Sequence, residues 1–202
     1  MSIVKPFVVL VAGSATATGA YLTKGYWLST PKDSHIKKSI SKVLSESKYS
    51  PLDTTQIDKW NSVLEKYKTA NPSSFKEVSK LQDYCRDLLS KEEYSSSDYR
   101  EARRWCVEEQ SATTRLGFFD RSALSTDATT NDTQWKTKIE QHKSSSSSNK
   151  LKHTFSAADD QNLKDIKEKC SGLSKKTNTD DTFESDFDTF LEWCSIDKPN
   201  AQ

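Results

Sequence analysis

Residues 96–106, SSDYREARRWC, and residues 184–194, ESDFDTFLEWC, end on the same dipeptide, Trp-Cys. In each, apolar or small side chains recur at helical intervals: Tyr99, Ala102 and Cys106 in the first, Phe187, Phe190 and Cys194 in the second. These two stretches anchor a longer correspondence. Leu44, Leu52, Trp60, Cys85, Trp105 and Cys106 are matched in order by Leu116, Leu124, Trp135, Cys170, Trp193 and Cys194, at offsets of 72, 72, 75, 85, 88 and 88. Offsets that only rise are what a duplication with insertions leaves behind. Leu64-Glu65 and Lys68 stand at the same distances from Trp60 as Ile139-Glu140 and Lys143 do from Trp135. Leu81 and Ile166 each lie four residues before a cysteine. The largest insertion holds Ser144 to Ser148, a run that reads as a flexible loop.

Working outward, the same periodicity fills the body. Ile36, Ile40, Val43 and Leu44 form one stripe, Ile57, Trp60, Leu64 and Tyr67 a second, and Phe75, Val78, Leu81, Cys85 and Leu88 a third. Asp53 with Gln56, Ser74 with Glu77, and Asp98 with Glu101 have capping-box spacing. After residue 28 the only glycines are Gly117 and Gly172, too few for the tight turns of an all-β domain. The expected fold class is all-α: an N-terminal transmembrane helix over 1–28, then two tandem divergent helical-bundle repeats over 29–110 and 111–202.

The N-terminal expectation rests on Pro6 to Leu22, 17 apolar or small residues, the short end of what spans a bilayer as a helix. Tyr21, Tyr26 and Trp27 then fall at headgroup level, and Gly13, Ala15, Ala17 and Gly19 offer a small-residue contact face. Two rivals stay open. Ala15-Thr16-Ala17 fits a signal-peptide cleavage site, and the stretch could be a buried core helix. Lys24, Lys32, Lys37 and Lys38 follow the span and favour a cytoplasmic body, although that rule weakens for long domains.

Each repeat carries two cysteines. Pairing Cys85 with Cys106 and Cys170 with Cys194 would staple a unit of roughly 75 residues, a size at which a core alone is marginal. Such bonds need an oxidising compartment and so place the body outside. The alternatives are buried thiols acting as small hydrophobes, or zinc. Zinc is disfavoured because no close C-x-x-C or H-x-x-x-H occurs and His35, His142 and His153 do not repeat with the cysteines. Trp60, Trp105, Trp135 and Trp193 read as core aromatics.

Little in the chain points to chemistry. Lys+Arg number 30 and Asp+Glu 29, so there is no basic field for nucleic acid. The phosphate-loop, dinucleotide, nucleophile-elbow and zinc-protease fingerprints are missing, and no catalytic, cofactor-binding or metal residues are assigned. Asp180, Asp181, Glu184, Asp186, Asp188 and Glu192 form the densest acidic stretch and read as caps and first-turn acids of a helix. Arg100, Arg103 and Arg104, interleaved with Glu101, Glu108 and Glu109, read as a solvated helix face with an Arg104–Glu108 pair. Asn131-Asp132-Thr133 has the glycosylation pattern, which matters only in a eukaryotic secretory host.

With its opening Met1-Ser2-Ile3-Val4-Lys5-Pro6, its glycine/alanine anchor and its Trp-Cys helices, the chain resembles the paralogous membrane-anchored protein families of haemotropic mycoplasmas. The resemblance implies a wall-less bacterium, surface display, and contact with a host surface protein or antigenic variation. It implies no activity, so it brings no functional residues. The expected function is therefore a non-catalytic host-interaction or display module held at a membrane, with no cofactor. A cytoplasm-facing membrane-anchored scaffold is the alternative, and an enzyme with an unrecognised site comes last.

Overall fold

The computed structural model describes residues 37–156 and 159–198, all within one compact unit. The expected anchor, residues 1–28, lies outside the described residues. Among those described, no helix is long and apolar enough to cross a membrane.

The described chain is mostly helical. Four helices come first: α1 (Ile40–Glu46), α2 (Ile57–Ala70), α3 (Val78–Ser90) and α4 (Ser96–Trp105). Four more follow: α5 (Ala112–Leu116), α6 (Asp132–Ser144), α7 (Asp159–Ser174) and α8 (Phe183–Trp193). Two three-residue strands, β1 (Arg121–Ala123) and β2 (Ser195–Asp197), pair antiparallel. The glycine-poor sequence did not announce them. They need no hairpin turn, because most of the second helix set lies between them.

Helix starts follow side-chain chemistry. The hydroxyls of Ser39 and Ser111 each accept from the backbone N–H three residues on, at Lys42 and Thr114. Ser95 and Asp98 close a full capping box ahead of α4, so this box sits three residues earlier than the Asp98–Glu101 spacing predicts. The other two expected boxes do not form. Asp53 instead accepts from Thr55 in a turn, and α3 starts only after Glu77, which makes no side-chain cap.

The two helix sets pack by one scheme. In the first, α3 lies against α1, α2 and α4, and α1 touches α4; in the second, α7 lies against α5, α6 and α8, and α5 touches α8. Residues at the sequence offsets make the same bonds. Ile40 donates its N–H to Lys91 O at 3.0 Å, and Ala112 to Lys176 O at 2.8 Å. Leu52 donates to Cys106 O at 3.0 Å, and Leu124 to Cys194 O at 2.9 Å. Trp60 Nε1 reaches Asp53 O and Trp135 Nε1 reaches Ser125 O, both at 2.8 Å. Lys48 and Asp120, 72 residues apart, both take the left-handed conformation, with φ of 64° and 53°. The bridge Pro51↔Val107 stands where Ala123↔Ser195 does in the strand pair.

Disulfides join Cys85 to Cys106 and Cys170 to Cys194, with Cα–Cα distances of 5.2 and 5.5 Å. Each ties a middle helix to the end of the next. The core of each set closes around them: Ile40, Leu44, Leu81 and Ala102 in one, Ile166, Phe183, Phe187 and Phe190 in the other. Trp60, Trp105, Trp135 and Trp193 are all buried. Tyr67 meets Trp105 edge-on at 5.3 Å, and His142, 75 residues later, meets Trp193 edge-on at 4.7 Å.

Candidate functional site

Where the two sets meet, the chain buries charge against aromatic rings, Arg103 beside Phe183 and Arg115 beside Tyr49 and Phe187. Arg103, on the inner face of α4, and Asn178, in the α7–α8 connection, are both 0% exposed. Asn178 donates Nδ2–H to Arg103 O at 2.9 Å and accepts Gln110 N–H on Oδ1 at 2.7 Å. Its own backbone exchanges bonds with Gln110 O and with Arg103 Nη1. Arg103 Nε lies 2.7 Å from Glu184 Oε1 at the first turn of α8. One asparagine thus latches two helix sets whose main contacts are otherwise internal.

Gln110 shows how the seam replaces a ladder. In the second set Lys198 N–H continues the strand pair onto Asp120 O at 2.8 Å. At the equivalent point of the first set the chain turns away toward α5, and Gln110 N–H goes to Asn178 instead. Its side chain then supplies the missing bond, Nε2 donating to Lys48 O at 3.0 Å. Gln110 Oε1 accepts from Arg115 Nη1 at 2.8 Å, and Arg115 Nη2 donates to Ser47 O. The Arg115 guanidinium lies 3.9 Å from the centre of the Tyr49 ring. Burial pushes the Tyr49 phenol up to about 12 against the pull of Arg115 and Arg103, and burial holds Arg115 below the usual guanidinium range.

Beside this seam an open cleft of ≈ 520 Å³ runs between the C-terminal end of α2 and the α7–α8 connection. Lys66, Ala70, Arg104, Trp105, Lys175 and Asp181 are among its lining residues. Arg104 stacks over the Trp105 ring at 4.5 Å, donates Nε and Nη2 to Thr179 O at 3.2 and 3.1 Å, and pairs with Asp181.

These contacts overturn the reading of Arg103 and Arg104 as part of a solvated face, while Arg100 is exposed as expected. The α-helix ends at Trp105, so the four-residue spacing of Arg104 and Glu108 has no helical meaning; Glu108 pairs with Lys59 at 2.7 Å. Of the acidic stretch, Glu184 and Asp186 lie in the first turn of α8 as expected, but the N-cap is Thr182 with no side-chain cap bond, and Asp188 and Glu192 lie farther along the helix. The stretch also neutralises the arginines, Glu184 on Arg103 and Asp181 on Arg104. The sequence signal was Arg103 itself, which occupies the place of apolar Leu191 at the 88-residue offset.

The expected site residues form no single cluster: the cysteines and tryptophans are divided between the two cores. The serine run leads into a loop, as expected, and that loop is tied at two points. Ser147 Oγ donates to Glu192 Oε2 at 2.8 Å, and Lys150 Nζ to Ser145 O at 3.0 Å. Among the described residues no group of three or more His, Cys, Asp or Glu side chains is placed to hold a metal ion. His142 packs between Trp193 and Phe155, and burial lowers its pKa. His153 Nε2 lies 3.1 Å from Asp165 Oδ2. Compared with protein-family models, curated proteins and solved structures, the chain matches none.

Proposed function

We propose that the chain is a membrane-anchored surface protein, non-catalytic, whose two tandem divergent helical-bundle repeats form a rigid display or host-interaction module. The observation that carries this reading is the pair of disulfides, Cys85–Cys106 and Cys170–Cys194, at matching places in the two helix sets. Such bonds persist in an oxidising compartment and staple small units whose cores are marginal alone. The 17-residue apolar run at Pro6 to Leu22 would hold the body at the membrane. The resemblance to membrane-anchored families of haemotropic mycoplasmas agrees with external display.

The duplication is supported by equivalent hydrogen bonds, by the shared left-handed residues Lys48 and Asp120, and by the common packing scheme. Surface labelling tests the sidedness. On intact cells, a membrane-impermeant amine-reactive probe should label exposed lysines of the body, such as Lys76 and Lys80, as fully as it does in permeabilised cells. Labelling only after permeabilisation would move the body to the cytoplasm and favour the scaffold reading, to which Lys24, Lys32, Lys37 and Lys38 already point.

A further inference from the structure

Segment 145–156 follows α6 without helix or strand of its own and straps the second set. Trp193 Nε1 donates to Asn149 O at 2.9 Å, and Ser147 Oγ donates to Glu192 Oε2 at 2.8 Å. Leu151 and Phe155 are buried, and Asn162 Nδ2 donates to Ser156 O at 2.6 Å. The group that seats the strap is a histidine. His142, in the last turn of α6, is 4% exposed. Its ring stands edge-on to Trp193 of α8 at 4.7 Å and to Phe155 of the strap at 4.9 Å. The ring is bonded to the Leu151 main chain, while its Nε2 is enclosed and has no hydrogen-bond partner. Such a ring is neutral, with its proton on the nitrogen that donates and none on Nε2. In the first set Tyr67 holds this place at the 75-residue offset, edge-on to Trp105 at 5.3 Å, and has no nitrogen to protonate.

A proton arriving at Nε2 would create a buried donor with no acceptor, on a ring that then carries charge. The surroundings oppose it. Burial first, then Lys150 and His153 of the strap, hold the pKa below the ordinary 6.5. The Leu151 bond and the C-terminal end of α6 pull the other way, but neither gives Nε2 an acceptor. The carboxylates of the packed elements are engaged elsewhere: Glu140 of α6 pairs with Lys143, Asp165 of α7 lies 3.1 Å from His153, and Glu192 of α8 accepts from Ser147. Lys138, one turn back on α6, is a further cation and donates to Glu192 O. We propose that His142 is an acid-sensitive latch, whose protonation at Nε2 releases the 145–156 strap from α6 and α8 while the rest of the fold stays closed. With the strap open, water reaches the ring and its ordinary value near 6.5 returns. Above that pH both states are neutral and the strap is shut. As pH falls below 6.5 the open state takes up the proton first, so closure weakens from there down to the lower closed-state value. Opening uncovers Trp193 and Phe155. The inference is independent of the membrane and surface reading above.

Hydrogen exchange of the full chain, followed by mass spectrometry and corrected for the intrinsic pH dependence of exchange, tests the latch. From pH 7.5 to 5.0 the opening of peptides within 145–156 should rise, by up to about tenfold per pH unit below 6.5. Peptides of α2, which carry Tyr67 in the equivalent place, should not change. H142Y borrows the residue of the first set and should abolish the acid response; H142F serves if H142Y does not fold. K150M removes one opposing charge and should shrink the response, whereas H153N should keep it. An acid response that persists in H142Y or H142F, or that disappears in H153N, overturns the inference. So does a strap unchanged between pH 7.5 and 5.0, or an equal rise along the whole chain, which is global acid unfolding. Titration of His142 by NMR in the folded protein is a second readout, and a value at or above 6.5 would equally overturn it.

Discussion

Arg103 and Glu184 form an ion pair between the two helix sets, with Nε 2.7 Å from Oε1 and the arginine fully enclosed. Its position corresponds to Leu191, so one set carries a charge where the other carries hydrocarbon. Enclosed charge is tolerated only when paired, and removing one partner strands the other. Glu184→Ala should therefore destabilise the fold by about 3 kcal/mol. Adding Arg103→Leu should restore much of that loss. Urea unfolding of the two variants checks this; a double variant less stable than Glu184→Ala would refute the account of the pair.

Asn178 links Arg103 to Gln110 and has no apolar substitute. Asn178→Ala leaves Gln110 N–H and Arg103 O without their side-chain partner, a loss of about 2–4 kcal/mol. Asn178→Asp keeps the acceptor and loses the donor. Calorimetry should rank the proteins wild type, then Asp or Ala, and an unchanged melting temperature in Ala would contradict the latch.

Lys48 sits at φ 64° with an exposed side chain, and its structural contribution to the seam is its carbonyl. A non-glycine residue there is strained. Lys48→Gly should thus stabilise by about 0.5–1 kcal/mol, the gain being reduced by glycine's greater unfolded-state entropy. Chemical denaturation reads the sign directly.

Lys138 donates to Glu192 O at 2.7 Å, and burial followed by the nearby charge of Arg121 pulls its pKa from 10.5 down to about 8. The unfolded chain then holds more protons than the folded one between those values. Stability from this group rises as pH climbs from about 8 toward 10.5, because the penalty for the buried cation is relieved. Tyr49 acts oppositely above its ordinary value of 10.0, since the folded phenol stays protonated while the unfolded one ionises. Between pH 8 and 10, Lys138→Met should flatten the rise seen in the wild type. An identical pH profile in both proteins would remove Lys138 as the cause.

Much of the fold was legible because it depends on periodicity. Trp60, Trp105, Trp135 and Trp193 lie on apolar stripes and are buried, and the cysteines recur at offsets that their disulfides respect. Capping was less legible, since Ser95 and Asp53 each had competing acceptors and donors within three residues. The seam was hidden for a different reason. Arg103 and Glu184 look like solvated charges when each helix is read alone, and only contact between the sets, which local spacing does not encode, makes them a buried pair. Gln110 and Asn178 carry no motif at all. Their importance comes from the point at which the chain leaves one strand-like pairing to begin the next set.

Each helix set is closed by its own disulfide. The closed loops span 21 and 24 residues, each contributing about 3 kcal/mol. The direct measurement is a peptide map of native protein, alkylated on intact cells and digested without reduction. Cross-linked peptides joining Cys85 to Cys106 and Cys170 to Cys194 are expected, with no alkylated cysteine. Four alkylated thiols, or a bond crossing from one set to the other, would contradict it.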